Sequence, residues 1–217
     1  MPSDPYTVQL ADNAMTTLGD LKVILGIDPQ DTNERRDAYL THMINYVSAW
    51  IERQTGRKFK RQIYTQNFKA AGGQELVLPQ WPITRVFWIK APGGDVIPAD
   101  TYDFSQTGEI GTIWRDQGWP LDGYRGGLAF DMVALKREIT VKYVAGYVLP
   151  KDATERHPAT LPYDLIGVVW KIIQQEYAIE QNNAHGLTAF SISDVSWSFD
   201  KTPHDEWMSV IQLYARL

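Results

Sequence analysis

The pattern of hydrophobic and polar positions has a helical period at both ends of the chain and an alternating one in the middle. Thr17-Leu18-Gly19-Asp20 reads as a capping box opening a short helix, with Leu18, Leu21, Ile24 and Leu25 on its apolar side. Gly26 closes that helix and Pro29 prevents its resumption. A second helix is expected from Asp31-Thr32-Asn33-Glu34, where an acid three residues past a capping side chain favours the helix N-terminus. Leu40, Met43, Ile44, Val47 and Ile51 then recur at helical spacing until Gly56 stops the run.

Between Ile63 and Tyr147 the period shortens to strand-like runs broken by turn residues. Arg85 to Lys90, then Ala91-Pro92-Gly93-Gly94, then Asp95-Val96-Ile97 make a hairpin signal. Glu138 to Val144 alternates as a strand with one wet face should, and residues 75–78 and 110–114 are weaker strands. After Pro162 the helical period returns with Leu165, Ile166, Val168, Val169, Ile172, Ile173 and Tyr177, which cover more than one stripe. A last helix follows Thr202-Pro203, with Asp205 and Glu206 in its first turn and Trp207, Val210, Ile211 and Tyr214 on one face. The expected class is α+β: a bundle of about four helices with an inserted antiparallel β subdomain. Its parts are residues 1–62, 63–148 and 149–217.

Composition excludes more than it proposes. With no Cys there is no disulfide framework, thiolate zinc site, iron–sulfur cluster or Cys nucleophile. Twenty-one Lys and Arg against 26 Asp and Glu give a net charge of −5, which argues against non-specific coating of nucleic acid. No apolar run is long enough to span a bilayer, and Met1 to Pro5 carries no signal-like apolar stretch. His42, His157, His185 and His204 are too scattered for a metal motif, and no nucleophile elbow, phosphate loop or dinucleotide fingerprint occurs. Catalysis, a cofactor and a metal are therefore not expected.

Three features invite a binding role. Arg53, Arg57, Lys58, Lys60 and Arg61 cluster at and beyond the end of the second helix, where cations complement the helix dipole or meet an acidic partner or DNA. Trp81, Trp88, Trp114 and Trp119 lie in the β stretch, and Asp116 and Asp122 flank Trp119; the rings either pack together or form a stacking surface for sugars or bases. Phe190 to Phe199 is strand-like, with Val195, Trp197 and Phe199 alternating against serines. Its backbone must pair either with the β subdomain or with another chain.

The order of these features carries a resemblance. Glu52-Arg53-Gln54-Thr55-Gly56-Arg57, Gln62-Ile63-Tyr64, Trp81-Pro82-Ile83, Val141 to Tyr147, Leu161 to Leu165, Ser193 to Phe199 and Leu213 to Leu217 follow one another over nearly the whole chain. This series resembles the head–tail connector (adaptor) proteins of tailed bacteriophages, also described as DNA-packaging connectors, although the β insertion is long beside the family's smallest, almost wholly helical members. The resemblance implies a structural virion protein that forms a ring, commonly twelve-fold, below the portal and receives a stopper or tail protein. DNA would pass through its channel without specific binding, and no catalytic residues belong to the family. The C-terminal part would be the arm that meets the portal or a neighbour, through Val195, Trp197, Phe199, Trp207, Val210, Ile211, Tyr214 and Arg216. A carbohydrate-binding or tail-associated module using Trp114 and Trp119 is the alternative.

Overall fold

The computed structural model describes residues 8–69, 72–105, 110–119, 138–181, 189–192, 195–198 and 205–215. The elements run α1 (Leu18–Ile24), α2 (Glu34–Thr55), β1 (Gln62–Lys69), β2 (Glu75–Leu78), β3 (Ile83–Lys90), β4 (Asp103–Phe104), β5 (Gly111–Trp114), β6 (Glu138–Ala145), α3 (Tyr163–Gln181), β7 (Ala189–Ile192), β8 (Val195–Ser198) and α4 (Asp205–Leu213). They form a helical unit from residues 1–59 and 148–216, and a β unit from 60–147 inserted into it. The α+β class expected from the sequence is therefore the class that folds.

In the helical unit, local side chains define where helices begin. Thr17 Oγ1 accepts from Asp20 N at 3.1 Å, and Asn33 Oδ1 from Arg36 N at 3.0 Å, each satisfying an orphan donor of a first turn. Gly56 ends α2 at φ 64°, a conformation strained for any residue with a Cβ. Leu40, Ile44, Val47 and Ile51 of α2 are buried, as their spacing requires. On α1 the expected apolar side holds only in part. Leu21 is buried, but Ile24 is exposed and Lys22 is buried beside Leu21. The Lys22 ammonium donates to Asp37 Oδ2 at 2.7 Å and to Asp31 O at 2.8 Å, which offsets the cost of withdrawing a cation from water. Burial of α3 is more than one stripe wide, but Leu165, Ile166, Val168, Val169 and Ile173 confine it to the first three turns. α4 packs on both α2 and α3.

The β unit contains two three-stranded antiparallel sheets, ordered β1-β6-β3 and β2-β5-β4. β6 is central, and its alternation puts Ile139, Val141, Tyr143 and Ala145 on one buried face. Leu76 and Leu78 of β2, Ile113 of β5, and Ile83 and Ile89 of β3 join them in one core, closed by Ile97 and Trp119. The expected hairpin at 91–94 forms, with Ala91 N donating to Asp95 O and Ile97 N to Ile89 O, both at 2.8 Å. On the other face of the β1-β6-β3 sheet, register places Thr65, Lys142 and Trp88 side by side, with Lys69, Glu138, Lys90, Val144, Ile63 and Arg85 at the flanking positions. Phe87 sits at the irregularity between Val86 and Trp88.

The 190–199 segment departs from the single long strand that its alternation suggests. β7 and β8 instead pair with each other, Phe190 opposite Trp197 and Ile192 opposite Val195, in a two-stranded sheet separate from both three-stranded ones. The segment thus meets part of its backbone pairing within itself, and Phe199 lies outside the described residues.

Candidate functional site

The residues singled out on the last helix separate by burial. Trp207 is 8% exposed and Ile211 1%, and both face the helical unit's own core; Val210 and Tyr214 are half-buried. Tyr214 is held from three directions. Its hydroxyl donates to both carboxylate oxygens of Asp164 at 2.8 and 2.9 Å, its carbonyl accepts from Arg57 Nη1 at 3.2 Å, and its ring meets Phe59 edge-on at 6.3 Å. α4 is accordingly a packed member of the unit and not an arm held away from it. For Val195 and Trp197 the structure describes the β8 backbone, while Arg216, like Phe199, is outside the described residues. What the α3–α4 corner does expose is Leu213, at 74%, and Tyr163, at 84%, next in sequence to the Tyr214–Asp164 pair.

The basic run divides between structural duties and solvent. Arg57 is buried, donating to Tyr214 and lying 5.1 Å from the centre of the Phe59 ring, a cation–π contact. Lys58 reaches Glu52 Oε2 at 2.7 Å. Lys60 and Arg61 open the β unit, where Lys60 bridges to Tyr147 and Arg61 N donates to Tyr147 O at 2.8 Å. Arg53 and Arg61 are exposed, but they belong to different units.

Glu52 was not apparent from the sequence as a centre of this region. It is 5% exposed and also accepts from Asn13 Nδ2 at 2.9 Å and from Phe59 N at 3.2 Å. The available signal was a polar seam on the buried side of α2, since Thr41, Ser48, Glu52 and Thr55 are all buried at helical spacing. Ser48 Oγ continues the seam by accepting from Met15 N at 3.1 Å.

The tryptophans do not assemble a stacking surface. Trp119 is 3% exposed, with its indole N–H donated to Gln74 O at 3.0 Å and its ring 6.4 Å from Tyr102. Trp114 is 39% exposed and donates to Asp116 Oδ1 at 2.9 Å, while Asp122 is outside the described residues. An open cleft of about 370 Å³ lies between the start of α2 and the end of α3, lined by Arg35, Arg36, Tyr39, Tyr177 and Glu180 among others. Burial, with Glu180 and Glu176 adding to it, raises the Tyr39 hydroxyl above the ordinary tyrosine range. Arg36 is committed to Asp31 at 2.9 Å and Asp37 at 3.4 Å, so the cleft offers mixed charge and no converging donor set. Among the described residues, no three of His, Asp and Glu converge as a metal site, and no helix is long and apolar enough to cross a membrane.

No family model and no curated protein matches the sequence. Solved structures do. A chain in the neck of the empty gene transfer agent particle, computed with C6 symmetry, superposes with a TM-score of 0.54 at 16% identity, covering 97% of this chain and 94% of that one. A chain in the neck of the native particle, computed with C12 symmetry, gives 0.52 at 15%, covering 97% and 93%. One from the virion of the native particle gives 0.50 at 15%, covering 97% and 94%. Both the helices and the inserted sheets take part in these matches, in agreement with the connector resemblance carried by the element order. Over nearly its whole length, the chain has the fold of a chain from the neck of a gene transfer agent particle.

Proposed function

We propose that this protein is a structural component of the neck of a tailed, phage-like particle: a ring-forming adaptor between the portal and the stopper or tail. The observation that carries this reading is the coverage of the fold match, 97% of this chain and 93–94% of the matched ones. The matched necks were computed with C6 and C12 symmetry, which supports a ring of copies here. A net charge of −5 suits a channel through which DNA slides, since phosphates are repelled and not gripped. The protein acts in the virion, at the head–tail junction, and carries out no chemistry.

With Trp207 and Ile211 in the core, the portal-facing surface of the C-terminal part is its exposed corner, Tyr163 and Leu213, together with the β7–β8 hairpin. Removing residues 203–217 would unpack the unit as well as remove a contact, so point variants are the informative test. A Y163S/L213D double variant should fold normally and bind isolated portal rings at least about tenfold more weakly, measured by mass photometry of portal with and without added protein. Unchanged binding refutes the corner as the portal contact. Purified particles that lack the protein, yet carry tails, refute the neck role itself.

A further inference from the structure

We infer that the outer face of the β1-β6-β3 sheet is one half of the contact between neighbouring copies, and that it docks on the acidic helical unit of the next copy. The inference rests on the ring reading above and names the surfaces that make the ring. The face carries Lys69, Arg85, Lys90 and Lys142 against Glu138 alone, a surplus of three positive charges. Since the whole chain sums to −5, everything outside this face sums to −8. The helical unit, residues 1–59 and 148–216, holds 11 Lys and Arg against 17 Asp and Glu, a net of −6. One molecule therefore carries an excess of positive charge on this face and of negative charge in its helical unit.

The cations are interleaved with aromatic rings. Arg85 lies 4.7 Å and Lys142 5.6 Å from the Phe87 ring centre, and Lys90 lies 4.8 Å from that of Trp88. Phe87 is 38% exposed, though a ring on the solvent side of a sheet gains little there unless something covers it. Stacked cations are held in place before any partner arrives, which lowers the entropy lost on binding. Aromatic rings and Arg, both present here in Phe87, Trp88 and Arg85, are enriched in protein–protein contacts. Nucleic acid is the poorer occupant, because a polyanion must also approach the net charge of −8 on the rest of the chain. Two unlike surfaces of one chain make a head-to-tail contact, which closes into a ring when the rotation per copy permits.

The test uses the full-length protein, concentrated and sized by native mass spectrometry. Wild type should form closed multimers that decline between about 50 and 500 mM salt. R85E/K142E should reduce them by about tenfold or more, while R35E/K171E, an equal charge change on the helical unit, should not. Circular dichroism and melting check that each variant folds. Independently of any variant, carbodiimide coupling of mixed ¹⁵N- and ¹⁴N-labelled wild type should link Lys90 or Lys142 of one copy to carboxylates of residues 1–59 or 148–216 of another. Multimers undiminished in R85E/K142E, or inter-copy links that all avoid Lys69, Lys90 and Lys142, overturn this inference and leave the ring standing. Wild type that stays monomeric at every concentration and salt overturns both. Duplex DNA bound at 150 mM salt through Arg85 and Lys142, with multimers unaffected, assigns the face to nucleic acid instead.

Discussion

At the scale of single residues, one carboxylate ties three stretches of the helical unit together. Glu52 holds Asn13 ahead of α1, Lys58 beyond α2, and the Phe59 amide where the chain leaves the unit. Glu52→Ala should therefore lower unfolding free energy by about 2–3 kcal/mol in urea titrations, chiefly by leaving the buried Phe59 N–H without its acceptor. Glu52→Gln, which keeps that acceptor, should cost clearly less. Such residues are hard to see in sequence because their partners are distant along the chain. Lys22 illustrates this: in a helical pattern it counts as a wet position, and its acid, Asp37, lies 15 residues away. Thr17 and Gly56 were legible because a cap depends only on its own first or last turn, whereas the spacing at 31–34 pointed to Asp31 as the cap of α2 and the structure uses Asn33, two residues on.

At the scale of elements, the strongly alternating β6 and the long helices α2 and α3 were readable from period alone, whereas short or amide-rich strands were not. β4 has two residues and β1 mixes Gln and Asn into its alternation, so both declare themselves only through their partners β5 and β6. The outward face of β3 and β6 was likewise invisible as a site. Arg85, Lys90 and Lys142 are far apart in sequence, and only register sets them together. Gly111 shows how tightly register is enforced in the second sheet. A Cβ there would lie 2.8 Å from Leu78 O, 3.1 Å from Gln80 O and 3.2 Å from the Trp81 Cβ, all backbone or near-backbone atoms. Gly111→Ala should thus cost about 1–3 kcal/mol, by forcing β2 and β5 apart, and should speed amide exchange in residues 75–78 and 111–114 first.

At the scale of the whole molecule, the fold was legible as an order of elements, and the assignment of surfaces was not. The apolar stripe of α4 announced a contact, and the contact is internal: Trp207 and Ile211 complete the unit from which they extend in sequence. Amphipathic periodicity tells that a face is covered, never by which chain. The parallel bridge between Lys60 and Tyr147 has a consequence of its own. Where the backbone departs for the sheets and where it comes back are strand neighbours, roughly 5 Å apart. The 88 residues from 60 to 147 should therefore be removable as one piece, a cassette. A shortened chain joining Phe59 to Val148 through three glycines should keep its helical circular dichroism and melt cooperatively. Loss of the helical signal would show that the cassette is a strut on which the helices depend. Spliced in at so narrow a doorway, such a cassette can grow, shrink or be exchanged among distant kin while the host helices keep their geometry.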